Sequence, residues 1–175
     1  NGLYRGKFAE SGYPRIDMTI NADDTIKTSL KERLGIDPKR KVVLYAPTWR
    51  GTLGSPQIEA DKLINDIEYL STIDAQLLFR GHYFVESAIH EKYLGSIVIP
   101  DDINTNELLS IVDVLITGYS SISFDFLVMN RPIVYYVDDI EQYRTERGLY
   151  FDENDMIGIV VYDIHSLRSN VEELL

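Results

Sequence analysis

Apolar residues fall in short continuous runs, and longer amphipathic stretches separate them along the chain. Val42-Val-Leu-Tyr-Ala46 is closed by Pro47. Gln76-Leu-Leu-Phe79, Ser96-Ile-Val-Ile99, Val114-Leu-Ile116, Pro132-Ile-Val-Tyr-Tyr136 and Ile159-Val-Val161 follow. Each reads as a strand that is apolar on both faces, which predicts a parallel sheet covered on both sides. Between the runs the spacing is helical. Ile26, Leu30 and Leu34 share a face, with Asp24 suited to the N-cap and Gly35 to the position just past the helix. Over residues 58–70, Leu63, Ile64, Ile67 and Leu70 line one side. Residues 85–90 suggest a short helix. Asn104 and Glu107 resemble a capping box opening a helix through Ile111, residues 120–129 form the next helix, and Asp163 caps a last one to Leu174.

Regular alternation of strand and helix gives the fold class: α/β, a doubly wound parallel sheet of about six strands. Two stretches break the pattern. Residues 1–20 are irregular, with Pro14 setting an extended backbone at Tyr13, and residues 137–155 are a polar, aromatic connection of the kind that is functional or mobile. In an open parallel sheet, ligands bind beyond the carboxyl ends of the strands. The loops there read Pro47-Thr-Trp-Arg50, Arg80-Gly-His82, Pro100-Asp-Asp102, Thr117-Gly-Tyr-Ser-Ser121 and Val137-Asp-Asp139.

Composition narrows the ligand. The formal net charge of −11 over 175 residues argues against a nucleic-acid partner, since a polyanion is repelled, but it leaves room for one nucleotide in a local electropositive pocket. The absence of cysteine removes a disulfide scaffold and Cys-ligated zinc. No apolar run approaches the roughly 20 residues of a membrane span, and the N-terminus lacks a secretory pattern. The chain starts at Asn1 without Met, so a segment cut from a longer protein is expected, with a partner domain outside it.

Four constellations carry chemistry. Gly118-Tyr-Ser-Ser121 joins a buried strand to a helix, and such a turn aims amides and hydroxyls at an anion. An ordinary N-cap is the plainer reading. Asp125, one helical turn on, is either a solvated acid or an acceptor for ribose hydroxyls. Arg80 and His82 follow a strand on the ligand side, where the histidine suits phosphate donation or acid–base work. Trp49 covers the core edge in the plainest reading, and Arg50 either meets a phosphate or pairs with an acid. Tyr143, Arg144, Arg147, Gly148 and Tyr150 make either a solvated loop or one folding over a ligand, with Arg147 as its charge. Walker, dinucleotide and zinc-protease motifs are absent. Gly118-Tyr-Ser-Ser-Ile122 is a partial nucleophile elbow with Ile122 in place of the second glycine, and Ser120, Asp138 and His165 stand in hydrolase order.

At these motifs the chain resembles the CDP-glycerol glycerophosphotransferase family of teichoic-acid primases and polymerases. Gly12-Tyr-Pro-Arg-Ile-Asp17 looks like its Y-P-R-x-D segment, and Leu44-Tyr-Ala-Pro-Thr-Trp-Arg50 matches A-P-T-W-R. Arg80-Gly-His82 is similar to R-x-H-P, with Tyr83 at the proline. Thr117 to Asp125 is similar to T-D-Y-S-S-x-x-F-D, with Gly118 at the acid, and Arg147 to Asp152 resembles R-G-x-Y-x-D. Ile157 stands where the family has the first residue of P-G-P.

The resemblance implies the Rossmann-like C-terminal half of a glycosyltransferase-B fold. Residues 1–20 would be an interdomain segment and 21–175 the nucleotide-binding domain. It implies transfer of glycerol phosphate or a related polyol phosphate from CDP-glycerol, or a similar CDP-polyol, to a lipid-linked polymer. That work would be done peripherally at the cytoplasmic face of the membrane, with the N-terminal domain of the same protein as partner and self-association allowed. Ser120, Ser121 and Gly118 would hold the diphosphate, His82 and Arg80 would act on the leaving phosphate, and Asp125 would bind ribose. Pro100 to Thr105 would line the base, with Thr48, Arg50 and Arg147 as further substrate contacts. No cofactor and no metal is implied. A UDP-sugar glycosyltransferase or epimerase, a serine hydrolase using Ser120, and a non-catalytic module remain as alternatives.

Overall fold

The computed structural model describes residues 6–7, 11–48, 51–52, 55–56, 60–81, 99–149 and 152–175. Five parallel strands form the sheet: β1 (Val42–Ala46), β2 (Gln76–Phe79), β3 (Val114–Thr117), β4 (Ile133–Tyr136) and β5 (Ile159–Val161). Their order is β2-β1-β3-β4-β5. The expected strand at 96–99 falls mostly outside the described residues, and Ile99 itself is not in a strand, so the described residues form a sheet of five strands where about six were expected. A two-residue antiparallel ribbon, Gly51–Thr52 with Ser55–Pro56, lies apart from the sheet.

Strand residues alternate between two separate cores. Leu44, Leu78, Leu115 and Tyr135 face one side. There Leu30 of α2 (Asp24–Arg33), Leu108 of α4 (Thr105–Leu109) and Phe126 of α5 (Ile122–Phe126) cover them. Val43, Phe79, Ile116 and Val134 face the other side. There Ile64 and Ile67 of α3 (Ala60–Leu70) and Leu167 and Val171 of α7 (Ile164–Leu174) cover them. Burial on both faces is the reason the strand sequences carry no polar alternation. A short helix, α1 (Asp17–Ile20), packs on α4 and on the 3₁₀ turn Leu127–Met129 that follows α5.

Several local expectations are corrected. The cap of α2 is Asp23, not Asp24: its carboxylate accepts from the Ile26 amide at 2.9 Å. Ile26 is exposed, whereas Leu30 is fully buried. Asn104 does cap α4, through the Asn106 amide, but that helix is only five residues long. The helix expected over 120–129 is an α-helix only at Ile122–Phe126. The polar connection contains a further helix, α6 (Ile140–Arg147), and a 3₁₀ turn at Glu153–Asp155.

Candidate functional site

The strand order places a switch point between β1 and β3, whose outgoing connections lead to opposite faces of the sheet; a crevice at their carboxyl ends is the standard ligand position in such folds. The two strand ends are tied together. Thr117 Oγ1 donates to the Ala46 carbonyl at 2.8 Å, and the Tyr119 amide donates to Thr48 Oγ1 at 2.7 Å. Gly118 lies between them. A Cβ there would stand 3.0 Å from Thr48 Oγ1 and 3.5 Å from the Tyr136 carbonyl, so the missing side chain lets three strand ends converge.

The serine turn follows directly. Ser121 is the N-cap of α5, yet its hydroxyl makes no capping bond. The Ser120 carbonyl accepts from Ser123 Oγ at 3.0 Å and from the Ser123 amide at 3.3 Å. Because α5 has five residues before it tightens to 3₁₀, its dipole is weaker than that of the longer helix expected. An anion held at this turn would therefore depend more on hydroxyls, local amides and side-chain charge.

Those features open on a cavity of about 350 Å³. Gly118, Tyr119, Ser120 and Ser121 line it together with Tyr143, Arg147 and Leu149. Tyr135, Leu127 and Met156 give it an apolar lining. Arg147 is the cationic side chain among the described lining residues, and Asp155 the acidic one. The serine turn is tied to α6: the Tyr119 and Tyr143 rings stack at 3.8 Å and 18°, and the Tyr119 hydroxyl donates to Asp139 Oδ1 at 3.0 Å. Burial pushes the Tyr135 phenol up, partly offset by its hydrogen bond with Ser123. The cavity thus combines hydroxyl donors, one guanidinium and aromatic surface, which suits an anionic group attached to an apolar or ring-bearing one.

The other expected residues divide into three groups. Gly118, Ser120, Ser121 and Arg147 line the cavity, and Thr48 braces it from behind. Arg80 and Pro100 form a second group. Arg80 Nη2 donates to the Ile103 carbonyl, its Nε is buried with no partner among the described residues, and the exposed Pro100 closes the same turn by accepting from the Ile103 amide at 3.1 Å. Neither lines the cavity. Asp125 stands alone. It is buried, its Oδ1 accepts from Arg15 and its Oδ2 from Asn106, and it is not a lining residue. His82 and Arg50 lie outside the described residues. The sequence reading missed Tyr135, Leu127, Met156 and Asp155. Each looks like ordinary core or surface until the chain is folded, and none carried a signal of its own.

On the far face of the sheet, Lys62 Nζ reaches Asp138 Oδ2 at 2.5 Å, Asp66 Oδ2 at 3.5 Å and the Tyr136 hydroxyl at 3.4 Å. Burial pulls the Lys62 ammonium down, but the bond to Asp138 and the charges of Asp66 and Asp138 outweigh it and hold it above the usual lysine value. Tyr136 is pushed up to about 12, by burial first and then by the Asp66 and Asp138 charges. Between about pH 10 and 12 the folded Tyr136 keeps a proton that the unfolded chain has lost, so stability is complete below that range and falls through it. Denaturant midpoints measured at pH 9 and at pH 11.5 are expected to show a loss of about 1–2 kcal/mol, and Tyr136→Phe to shrink it. This cluster also disposes of the hydrolase triple: Asp138 is bound by Lys62, and His165 Nδ1 shares a 2.9 Å hydrogen bond with the Tyr69 hydroxyl.

Comparison with known proteins places these features. Residues 2–175 match the family model described as CDP-Glycerol:Poly(glycerophosphate) glycerophosphotransferase. A teichoic acid poly(glycerol phosphate) polymerase of Bacillus spizizenii is 38% identical over 159 residues, covering 85% of this chain and 40% of that protein. A teichoic acid glycerol-phosphate transferase of Staphylococcus aureus is 37% identical over 180 residues, covering 97% and 46%. A solved structure of a variant of the wall teichoic acid polymerase TagF, soaked with CDPG, superimposes with a TM-score of 0.76 at 29% identity, covering 95% of this chain and 42% of that one. The chain thus spans less than half the length of these relatives.

Proposed function

This chain belongs to the CDP-Glycerol:Poly(glycerophosphate) glycerophosphotransferase family, and from that premise we propose that it forms the donor-binding half of a transferase acting on a CDP-activated polyol phosphate. The donor is CDP-glycerol or a close CDP-polyol, and the acceptor is a growing lipid-linked polymer of the teichoic-acid type. An acceptor hydroxyl attacks the distal phosphorus of the donor. A new P–O bond forms, the bond to the bridging oxygen breaks, CMP leaves, and the hydroxyl proton passes to a base. Such chemistry is mostly positioning and charge stabilisation.

The observation that carries this reading is the serine turn at the switch point, opening on a cavity whose described lining holds one arginine. Ser120 and Ser121, brought close by Gly118 and Thr48, would hold the diphosphate, with Arg147 of the same cavity lining as its cation. Arg80 would hold the 100–105 turn against the base, while His82 and Arg50 would serve the leaving phosphate. Residues 1–20 would connect to a further domain, a reading supported by the greater length of the relatives. Turnover would require that domain. A lipid-linked acceptor would put the work peripherally at the inner face of the membrane; among the described residues no helix is long and apolar enough to cross it.

Calorimetry on this chain is expected to give heat with CDP-glycerol and CMP, and none with UDP-sugars. No heat from any cytidine nucleotide, in this chain and in the intact protein, would overturn the assignment.

A further inference from the structure

The segment ahead of α2 reaches the helix behind the serine turn through an ion pair between a half-exposed arginine and a largely buried aspartate. Arg15, in the 3₁₀ turn Pro14–Ile16, donates to Asp125 Oδ1 through Nη2 at 2.9 Å and Nε at 3.1 Å. The Asp125 side chain is 12% exposed. The Arg15 guanidinium also lies 4.6 Å from the centroid of the Tyr13 ring. A second tie runs beside the first: Thr19 Oγ1 donates to the Asn106 carbonyl at 2.5 Å, and Asn106 Nδ2 donates to Asp125 Oδ2 at 3.5 Å.

Asp125 sits about one helical turn after Ser121, on the same five-residue helix whose first turn faces the cavity. An uncompensated carboxylate at that position would be costly to bury and would repel an anion seated at the turn. Its partner comes not from α5 or the sheet but from a segment about 110 residues earlier in the chain. The contact therefore links the placement of residues 13–20 to the electrostatics of the site.

We propose that Arg15 is a positioning residue for the anionic ligand: by cancelling the Asp125 charge in α5, it makes the affinity of the serine turn depend on the seating of residues 13–20. This deepens the donor-site reading above and rests on it. It also gives Asp125 a role through Arg15 instead of a direct ribose contact.

The test compares Arg15→Gln, Arg15→Lys, Asp125→Asn and the double variant Arg15→Gln/Asp125→Asn with the parent. CDP-glycerol affinity is measured by calorimetry, and amide hydrogen exchange across 114–126 is measured without ligand. Arg15→Gln is expected to weaken binding about tenfold and to speed exchange in α5 but not in β3. Arg15→Lys, which keeps the charge, and Asp125→Asn, which removes the need for it, are expected to stay within about threefold of the parent. The double variant is expected to regain most of the lost affinity, which a merely structural role would not give. Arg15→Gln with parental affinity would overturn the proposal. So would a double variant as weak as Arg15→Gln, or Asp125→Asn weakening binding as much on its own. If the parent binds no cytidine nucleotide, the donor assignment fails separately, and unchanged α5 exchange in Arg15→Gln would still overturn the coupling.

Discussion

Arg147→Glu is expected to lower the affinity for CDP-glycerol by about a hundredfold or more, the largest binding effect of any single exposed side chain here. Arg147 lies in the last turn of α6 and is the cation lining the described part of the cavity, with Asp155 already present as an acid. Reversal replaces one attraction with one repulsion. A unit charge near a diphosphate at an effective dielectric constant of about 20 is worth ~2–4 kcal/mol at contact distances, so two such changes exceed ~3 kcal/mol even after solvent screening. Stability should change little, because the residue is exposed and a glutamate near the helix C-terminus costs only about 0.3–1 kcal/mol. Calorimetry and a thermal melt on the same sample separate the two effects. An unchanged dissociation constant would mean that the anion does not face α6.

Gly158→Ala is expected to cost about 3 kcal/mol of stability and to lower the melting temperature by roughly 6–12 °C. Gly158 leads into β5, where the strand first pairs with β4. A Cβ on it would stand 2.5 Å from the Ile133 carbonyl oxygen and 3.1 Å from Tyr135 Cε2. The first neighbour is sheet backbone and cannot swing aside, so β5 must shift or its pairing with β4 must open. Tyr135 also lines the cavity, so ligand affinity should fall with stability. A melt within about 2 °C of the parent would show that the edge strand yields at little cost.

How far the sequence could be read follows from where information was local. The strands were legible because residues such as Val43, Leu44 and Ile116 are buried whichever face they meet, which leaves uninterrupted apolar runs. Helices α3 and α7 were legible because each carries a full apolar stripe toward the core, Ile64 to Leu70 and Leu167 to Val171. Helix α6 was not. Ile140 is its buried residue, and it is held instead by the Tyr119–Tyr143 stack and by Arg144 pairing with Glu141 and Glu153. Ion pairs and a ring from elsewhere leave no periodic trace. The helical stretch after Ser121 does stop at Met129, as expected, because the chain turns left-handed at Asn130, with φ 49°, just before Arg131-Pro132, where proline disfavours helix in the preceding residue; its tightening from α to 3₁₀ at Leu127 left no mark in the sequence. The choice between Asp23 and Asp24 as cap was invisible, since adjacent aspartates are equal in sequence and differ only in backbone angle.

The candidate site was legible by half. The serine turn and Arg147 stood out because glycine, hydroxyls and a basic–aromatic cluster are unusual at strand ends. The apolar lining did not, because Leu127 and Met156 are unremarkable until α5 and the 152–157 segment come together. The partner of Asp125 was equally hidden, since nothing local to Asp125 points to Arg15.

The stacked rings of Tyr119 and Tyr143 have a thermodynamic corollary. They weld two segments that leave the sheet by different crossovers, so any molecule that quiets the first segment also withholds conformational freedom from the second. By reciprocity, order already present in α6 is order the incoming molecule need not impose, and occupancy of the crevice and melting of that helix become two faces of one equilibrium.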